Sequence, residues 1–243
     1  QLNSDEEIIW NSFVVRSDAT AIEALLPEFP HAYLAIIQGD TCVLAGCEQQ
    51  CRSLLKKLGK RGIAANRVTA MHTTPALSQH KQVTEFYHQP LCDDLPDHIR
   101  FISAAGLLPK NQDQPVRMDS QSIADSIADT FCSVLDFNAL VRSAREQGAR
   151  LFIEVGADRQ TCTLIDKINR ADSVMNQSRT AATSTATTNT VASNAKGGED
   201  ILTLLKCIGQ LVSHQIPLSL DPLIKGLEQY RVTAEITLEG EPV

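Results

Sequence analysis

At 243 residues the chain is long enough to bury a substantial core, as one large domain or two small ones. Its 43% hydrophobic and 21% charged residues are those of an ordinary soluble globular protein. A net charge of −7 and a pI near 5.4 argue against a nucleic-acid-binding surface.

The N-terminus, QLNSDEEII, is polar and acidic, which is not the make-up of a signal peptide. It begins without an initiator methionine, so the chain is expected to be a piece of something longer. IIWNSFVVR (8–16) is rich in β-branched and aromatic residues and predicts a strand. Ser17 is placed to cap a short helix carrying Ile22, Leu25 and Leu26, which Pro27 closes. AYLAIIQ (32–38) and CVLAG (42–46), joined by a tight GDT turn, predict a hairpin. In EQQCRSLLKKLG (48–59), Cys51, Leu54, Leu55 and Leu58 form one helical stripe and Gly59 is the stop. The basic cluster KKLGKR (56–61) reads as the solvated end of that helix. GIAANRVTA (62–70) predicts a final strand. Residues 8–70 therefore have the order β-α-β-β-α-β, a ferredoxin-like subdomain.

After His72 the pattern changes. A helix is expected over 75–88, a strand at IRFISAA (99–105), and helices over about 119–134 and 137–147, the latter ending at Gly148. RLFIEVG (150–156) reads as a short buried strand and TLIDKI (163–168) as helix. Strand–helix alternation suits a parallel α/β sheet, but two strands are too few to close a core. Residues 71–170 are therefore expected to be an incomplete α/β core whose missing strands precede Gln1. The Ser/Thr-rich stretch within 171–198 has no large hydrophobe and predicts a flexible excursion. In 199–243 a helix (199–214) with Leu202, Leu205, Ile208, Leu211 and Val212 on one face precedes a short helix (216–227) and an alternating tail.

No apolar run approaches the ~20 residues of a membrane span. Seven cysteines, an odd number at scattered spacings, fit a reducing compartment, hence the cytoplasm, better than a disulfide framework. Cys47 and Cys51 share a helical face, but no CxxC pair or histidine cluster completes a zinc set, so both read as small buried hydrophobes.

The one residue that asks for an explanation is His72, in VTAMHTTPAL (68–77). An imidazole there could be a core hydrogen-bonder, a solvated residue, a metal ligand or a base. Four stretches in register decide the reading. VTAMHTTPAL looks like the AFH(S/T) loop of acyl-CoA:acyl-carrier-protein transacylases, the acyltransferase domains of fatty-acid and polyketide synthases. The stretch from AYLAIIQ to KKLGKRG is similar to that family's V-(I/L)-A-G hairpin and helix. LFIEVGADRQTCTLIDKI resembles its F-(L/I)-E-V-G-P strand and helix, and LLKCIGQLVSHQIPLSL its closing segment. The Ser/Thr-rich stretch before NAKG further resembles the acyltransferase subunit of bacterial omega-3 polyunsaturated fatty-acid synthases.

The resemblance implies an α/β-hydrolase-like acyltransferase core with an inserted ferredoxin-like subdomain and a helical tail. It also implies that His72 is the general base for a serine nucleophile, which needs an adjacent base to attack a thioester. In the family a backbone carbonyl orients that histidine, and the alignment puts it at Asp136. Met71, where malonyl-selective members often carry Phe, would line the acyl pocket and give a looser, non-malonyl preference. Ala157 replaces the family's usual Pro. The implied partners are acyl-CoA, the phosphopantetheine arm of an acyl carrier protein, and other synthase subunits, with no bound cofactor or metal. His31, His80, His88, His98 and His214 gain no role.

No G-x-S-x-G occurs in the sequence, and the family's carboxylate-binding arginine follows that motif. The chain is therefore expected to supply the base but neither nucleophile nor oxyanion hole, and to be inactive alone. The other readings are a non-catalytic structural or carrier-docking fragment of the same synthase, and an unrelated ferredoxin-like ligand-binding module with a helical tail.

Overall fold

The computed structural model describes residues 9–65, 69–92, 99–111, 117–177 and 188–228. The architecture is mixed α/β. The chain divides into two compact units, Gln1–Ile153 with Gln160–Thr190, and Glu154–Arg159 with Val191–Val243.

In the first unit, strand β1 (Trp10–Val15) leads to the short helix α1 (Ala19–Glu23), then to β2 (Ala32–Gln38), β3 (Thr41–Cys47), α2 (Glu48–Leu58) and β4 (Gly62–Ala64). The N-cap of α1 is Asp18 rather than the expected Ser17. β1 pairs antiparallel with β3 and β4, and β2 antiparallel with β3, so these strands lie in the order β4-β1-β3-β2. One face of the sheet is apolar, and Phe13, Val15, Leu34 and Leu44 pack there against Ile22 of α1 and Cys51, Leu54 and Leu55 of α2. Each such fully buried side chain contributes roughly 1.5–3 kcal/mol relative to exposure.

Two glycines are needed where they stand. Gly59 ends α2 in the left-handed conformation, φ 66°, which costs no Cβ clash. Gly46 has φ 140°, and a Cβ there would lie 2.1 Å from the His31 carbonyl. That carbonyl accepts from Cys47 N at 2.8 Å, so β3 must pass close beside it.

The stretch after His72 forms a 3₁₀ helix (Thr74–Gln79) and then α3 (His80–Tyr87), where one helix over 75–88 was expected. Residues 99–105, expected as a strand, are not one. Ile99 and Phe101 are 48% and 37% exposed, and Ser103 caps a 3₁₀ turn (Ala104–Leu107) by accepting from Ala105 N. An apolar run without a neighbouring strand to pair with has no ladder to join. Next come α4 (Ser120–Cys132), whose N-cap Asp119 accepts from Ser122 N, then β5 (Leu135–Asp136) and α5 (Phe137–Glu146).

β5 is only two residues long, yet it adds a fifth strand: Leu135 and Asp136 pair parallel with Ile36 and Ile37 of β2. Asn138 reinforces the join. Its side chain accepts from Gly39 N at 2.7 Å and donates to Gly39 O at 3.0 Å, clamping the β2–β3 turn as a strand neighbour would. The same turn is tied by Asp40, whose carboxylate meets Arg16 at 2.8 Å and Lys167 at 3.2 Å.

β6 (Leu151–Glu154) is shorter than the 150–156 expected, and α6 (Gln160–Gln177) much longer than 163–168. Val141 of α5 packs with Ile165 and Ile168 of α6 and with Phe137 and Phe152. Arg142 and Arg145 fork onto Asp172, at 2.9 and 2.7 Å. The Ser/Thr-rich stretch is not wholly excursion: β7 (Asn189–Ala192) forms within it and buries Val191. Its β-branched Thr-Val pair suits the parallel ladder with β6, seen in Asn189 N to Arg150 O and Ser193 N to Glu154 O. Residues 178–187 and the tail from 229 lie outside the described residues. The second unit carries α7 (Asp200–Ser213) and α8 (Asp221–Glu228). Leu211 of α7 is buried, whereas Leu202, Leu205 and Val212 are exposed.

Candidate active site around His72

The approach to His72 is tied down at Thr69. Trp10 Nε1 donates to the Thr69 carbonyl at 3.0 Å, and Met71 N to Thr69 Oγ1 at 3.2 Å. The Trp10 ring stacks on Tyr33, with centroids 5.9 Å apart. Buried Thr73 closes the turn by donating its hydroxyl to Ala70 O at 2.5 Å. Between them His72 has φ 62°, left-handed backbone that costs an L-residue roughly 1–2 kcal/mol. Such a conformation persists only where the surroundings impose it.

Helix α4 does so. The last four carbonyls of a helix have no partner within it, and His72 occupies two of those in α4. Its backbone N donates to Phe131 O at 2.7 Å, and its ring Nδ1 lies 2.7 Å from Thr130 O. A carbonyl can only accept, so Nδ1 carries a proton, and in the neutral ring Nε2 then keeps its lone pair. The residue is half-buried, so the ring is not sealed in the interior. An imidazole held by Nδ1–H with Nε2 free can take a proton from a neighbouring hydroxyl and return it.

The carbonyl at the ring is thus Thr130, not Asp136. Asp136 instead pairs with Ile37 and caps α5, accepting from Ala139 N at 2.8 Å, as aspartate commonly does at a helix start. The expectation placed the carbonyl beyond the end of α4, in what is β5, whereas the carbonyls that meet His72 belong to the last helical turn. Met71, expected at an acyl pocket, is 39% exposed. A largely apolar cavity of about 670 Å³ lies next along the chain, lined by Phe29, Tyr33, Thr73, Thr74, Leu77 and Cys132, and Met71 is not among its lining residues.

One histidine given no role has a defined partner. His80 Nε2 donates to Asp129 Oδ1 at 2.7 Å, and Asn111 Nδ2 donates to Asp129 Oδ2 at 3.0 Å. Forty-nine residues separate His80 from Asp129, and nothing in their spacing links them. His98 lies outside the described residues. Among the described residues no group of three His, Cys, Asp or Glu side chains could hold a metal ion. None of the seven cysteines forms a disulfide, and only Cys92 is exposed. Burial pushes the Cys42 thiol up to about 11 and that of Cys51 to about 12, which makes both inert. Among the described residues no helix is long and apolar enough to cross a membrane.

No family model and no curated protein matches the chain. Its fold does match solved structures. The acyltransferase domain from the second module of the salinomycin polyketide synthase superposes with a TM-score of 0.65 at 14% identity, over 93% of this chain and 49% of that one. The malonyl-CoA:acyl carrier protein transacylase of Helicobacter pylori gives 0.63 at 16% identity, over 84% and 58%. A malonyl-transacylase solved with its type II polyketide acyl-carrier protein gives 0.59 at 13% identity, over 83% and 59%. The chain has the fold of acyltransferase domains and spans about half the length of those it matches.

Proposed function

We propose that this chain is the base-bearing portion of an acyltransferase domain that moves an acyl group from acyl-CoA to the pantetheine thiol of an acyl carrier protein. The observation that carries the reading is the His72 ring, its Nδ1 held 2.7 Å from Thr130 O and its Nε2 without a hydrogen bond among the described residues. The shared fold of transacylases supports it. In this reading β4-β1-β3-β2 with α1 and α2 is the ferredoxin-like subdomain, and the remainder of the first unit is part of an α/β-hydrolase-like core. The serine nucleophile and the carboxylate-binding arginine come from residues outside these 243.

In the first half-reaction His72 Nε2 takes the serine proton as the hydroxyl oxygen attacks the thioester carbonyl. When the tetrahedral intermediate collapses, the C–S bond breaks and the departing CoA sulfur receives that proton. In the second half, Nε2 takes the proton of the carrier's pantetheine thiol, whose sulfur attacks the acyl-serine. The proton then returns to the serine oxygen as the ester breaks. The pantetheine arm belongs to the substrates, and the protein itself supplies no metal or prosthetic group. The setting is a cytoplasmic synthase of fatty-acid or polyketide type, most like those making polyunsaturated fatty acids, with Met71 near the acyl group.

The test is labelling with radioactive acyl-CoA. The isolated chain should take up no label. The same chain joined to a segment that supplies a G-x-S-x-G serine should form an acyl-serine. Label on the isolated chain would refute the division of labour, and its absence from the joined protein would favour a non-catalytic, carrier-docking role.

A further inference from the structure

We infer that Asp129, gripped by His80 and Asn111, is a positioning residue for His72, setting the last turn of α4 so that its carbonyls hold the imidazole in one tautomer. The inference rests on the reading of His72 as the base and adds a part to it.

The last turn of a helix lacks onward hydrogen bonds and frays unless tertiary contacts fix it. The two carbonyls that hold His72, those of Thr130 and Phe131, lie in that turn. Asp129 is the residue just before them, and it is buried, its side chain 11% exposed. A carboxylate removed from water in this way needs strong partners. It receives Nε2–H of His80 at 2.7 Å and Nδ2 of Asn111 at 3.0 Å, and Asn111 is itself fixed by donating to Ala105 O at 2.9 Å.

The segment that follows His72 ends at His80, so it is fastened to the same helical turn at both ends. His72 meets Thr130 and Phe131, and His80 meets Asp129. Between them the Cys132 thiol donates to Ala76 O at 3.2 Å. Three attachments within residues 129–132 leave the left-handed His72 little freedom to turn its ring. Loss of the Asp129 attachment would let the Thr130 carbonyl drift, and the Nδ1–H form would lose its advantage.

The experiment is long-range nitrogen–proton NMR of the histidine-labelled full chain, which reads the tautomer of each ring. Wild-type His72 should be in the Nδ1–H form. Asp129→Ala and His80→Leu should each shift its tautomer ratio about tenfold toward Nε2–H, the scale of one hydrogen bond. His80→Gln, which keeps a donor, should retain the wild-type ratio. So should Ser126→Ala, which removes a buried hydroxyl on the same helix that bonds Ser103 Oγ at 2.5 Å.

Wild-type ratios in both Asp129→Ala and His80→Leu would overturn the inference, and so would an equal shift in Ser126→Ala, which would mean general loosening of α4. Should Asp129→Ala lose its amide dispersion, the His80→Leu and His80→Gln pair decides. A wild-type ring without an Nδ1–H preference removes the base reading together with the inference. A held tautomer in a joined enzyme whose transfer ignores His72 removes the base reading alone.

Discussion

Replacing His72 in turn by alanine and by glycine should invert the usual ranking of the two residues. Both variants lose the ring bond to Thr130 O, roughly 0.5–1.5 kcal/mol. Alanine also keeps the left-handed backbone at φ 62°, which costs an L-residue roughly 1–2 kcal/mol, whereas glycine adopts it freely. Against that gain, glycine's extra freedom in the unfolded chain costs roughly 0.5–1 kcal/mol. The balance leaves His72→Gly more stable than His72→Ala by about 1 kcal/mol. At an ordinary helical or extended position the order would be the reverse. Urea unfolding followed by the fluorescence of Trp10, the single tryptophan, measures the difference. If alanine proves equal or better, the backbone at residue 72 is not left-handed in solution, and the description of how α4 holds the ring fails.

Further outcomes follow from the packing. Leu54→Ala, at a fully buried position, should cost about 2–5 kcal/mol by urea unfolding. Asn138→Ala leaves both polar groups of Gly39 without their clamp and should cost about 1–3 kcal/mol by the same assay, with Asn138→Asp recovering only part. The thiols of Cys42 and Cys51 ionise near 11 and 12 in the folded chain, above their ordinary value of 9.0. The folded state thus retains protons that the unfolded state releases, so stability should be intact below pH 9 and fall as pH rises from there toward 11 for Cys42 and toward 12 for Cys51. Cys42→Val and Cys51→Val should each make that fall shallower; an unchanged slope in both would show that the thiols are not responsible.

Much of the fold could be read from local chemistry. The β2–β3 hairpin, the α2 stripe with Gly59 as its stop and the close of α5 at Gly148 all rest on residues whose side chains, or lack of them, dictate backbone locally. The misses are non-local. Ile99–Ala105 carries strand-forming residues but pairs with no strand among the described residues, while Leu135–Asp136 becomes a strand because β2 offers an edge about 100 residues earlier. β7 forms in a stretch whose composition suggested none, because Val191 finds a buried place.

The candidate site divides the same way. His72 stood out by residue type and setting, but the carbonyl that meets it is main chain, and any residue can donate one. Thr130 therefore left no mark in the sequence, and an alignment by motif placed the contact six positions away, at Asp136. The His80–Asp129 pair was hidden for a related reason: two common polar residues become a site only when two helices bring them together.

The most direct measurement of the central claim is the transfer rate from acyl-CoA to a holo acyl carrier protein by this chain joined to its serine-bearing complement, with His72 intact and as His72→Ala. The alanine protein should fold and bind both substrates but transfer about 10²- to 10⁴-fold more slowly. Transfer at the intact rate would mean that another group takes the proton, and that the imidazole held by α4 is part of the scaffold only.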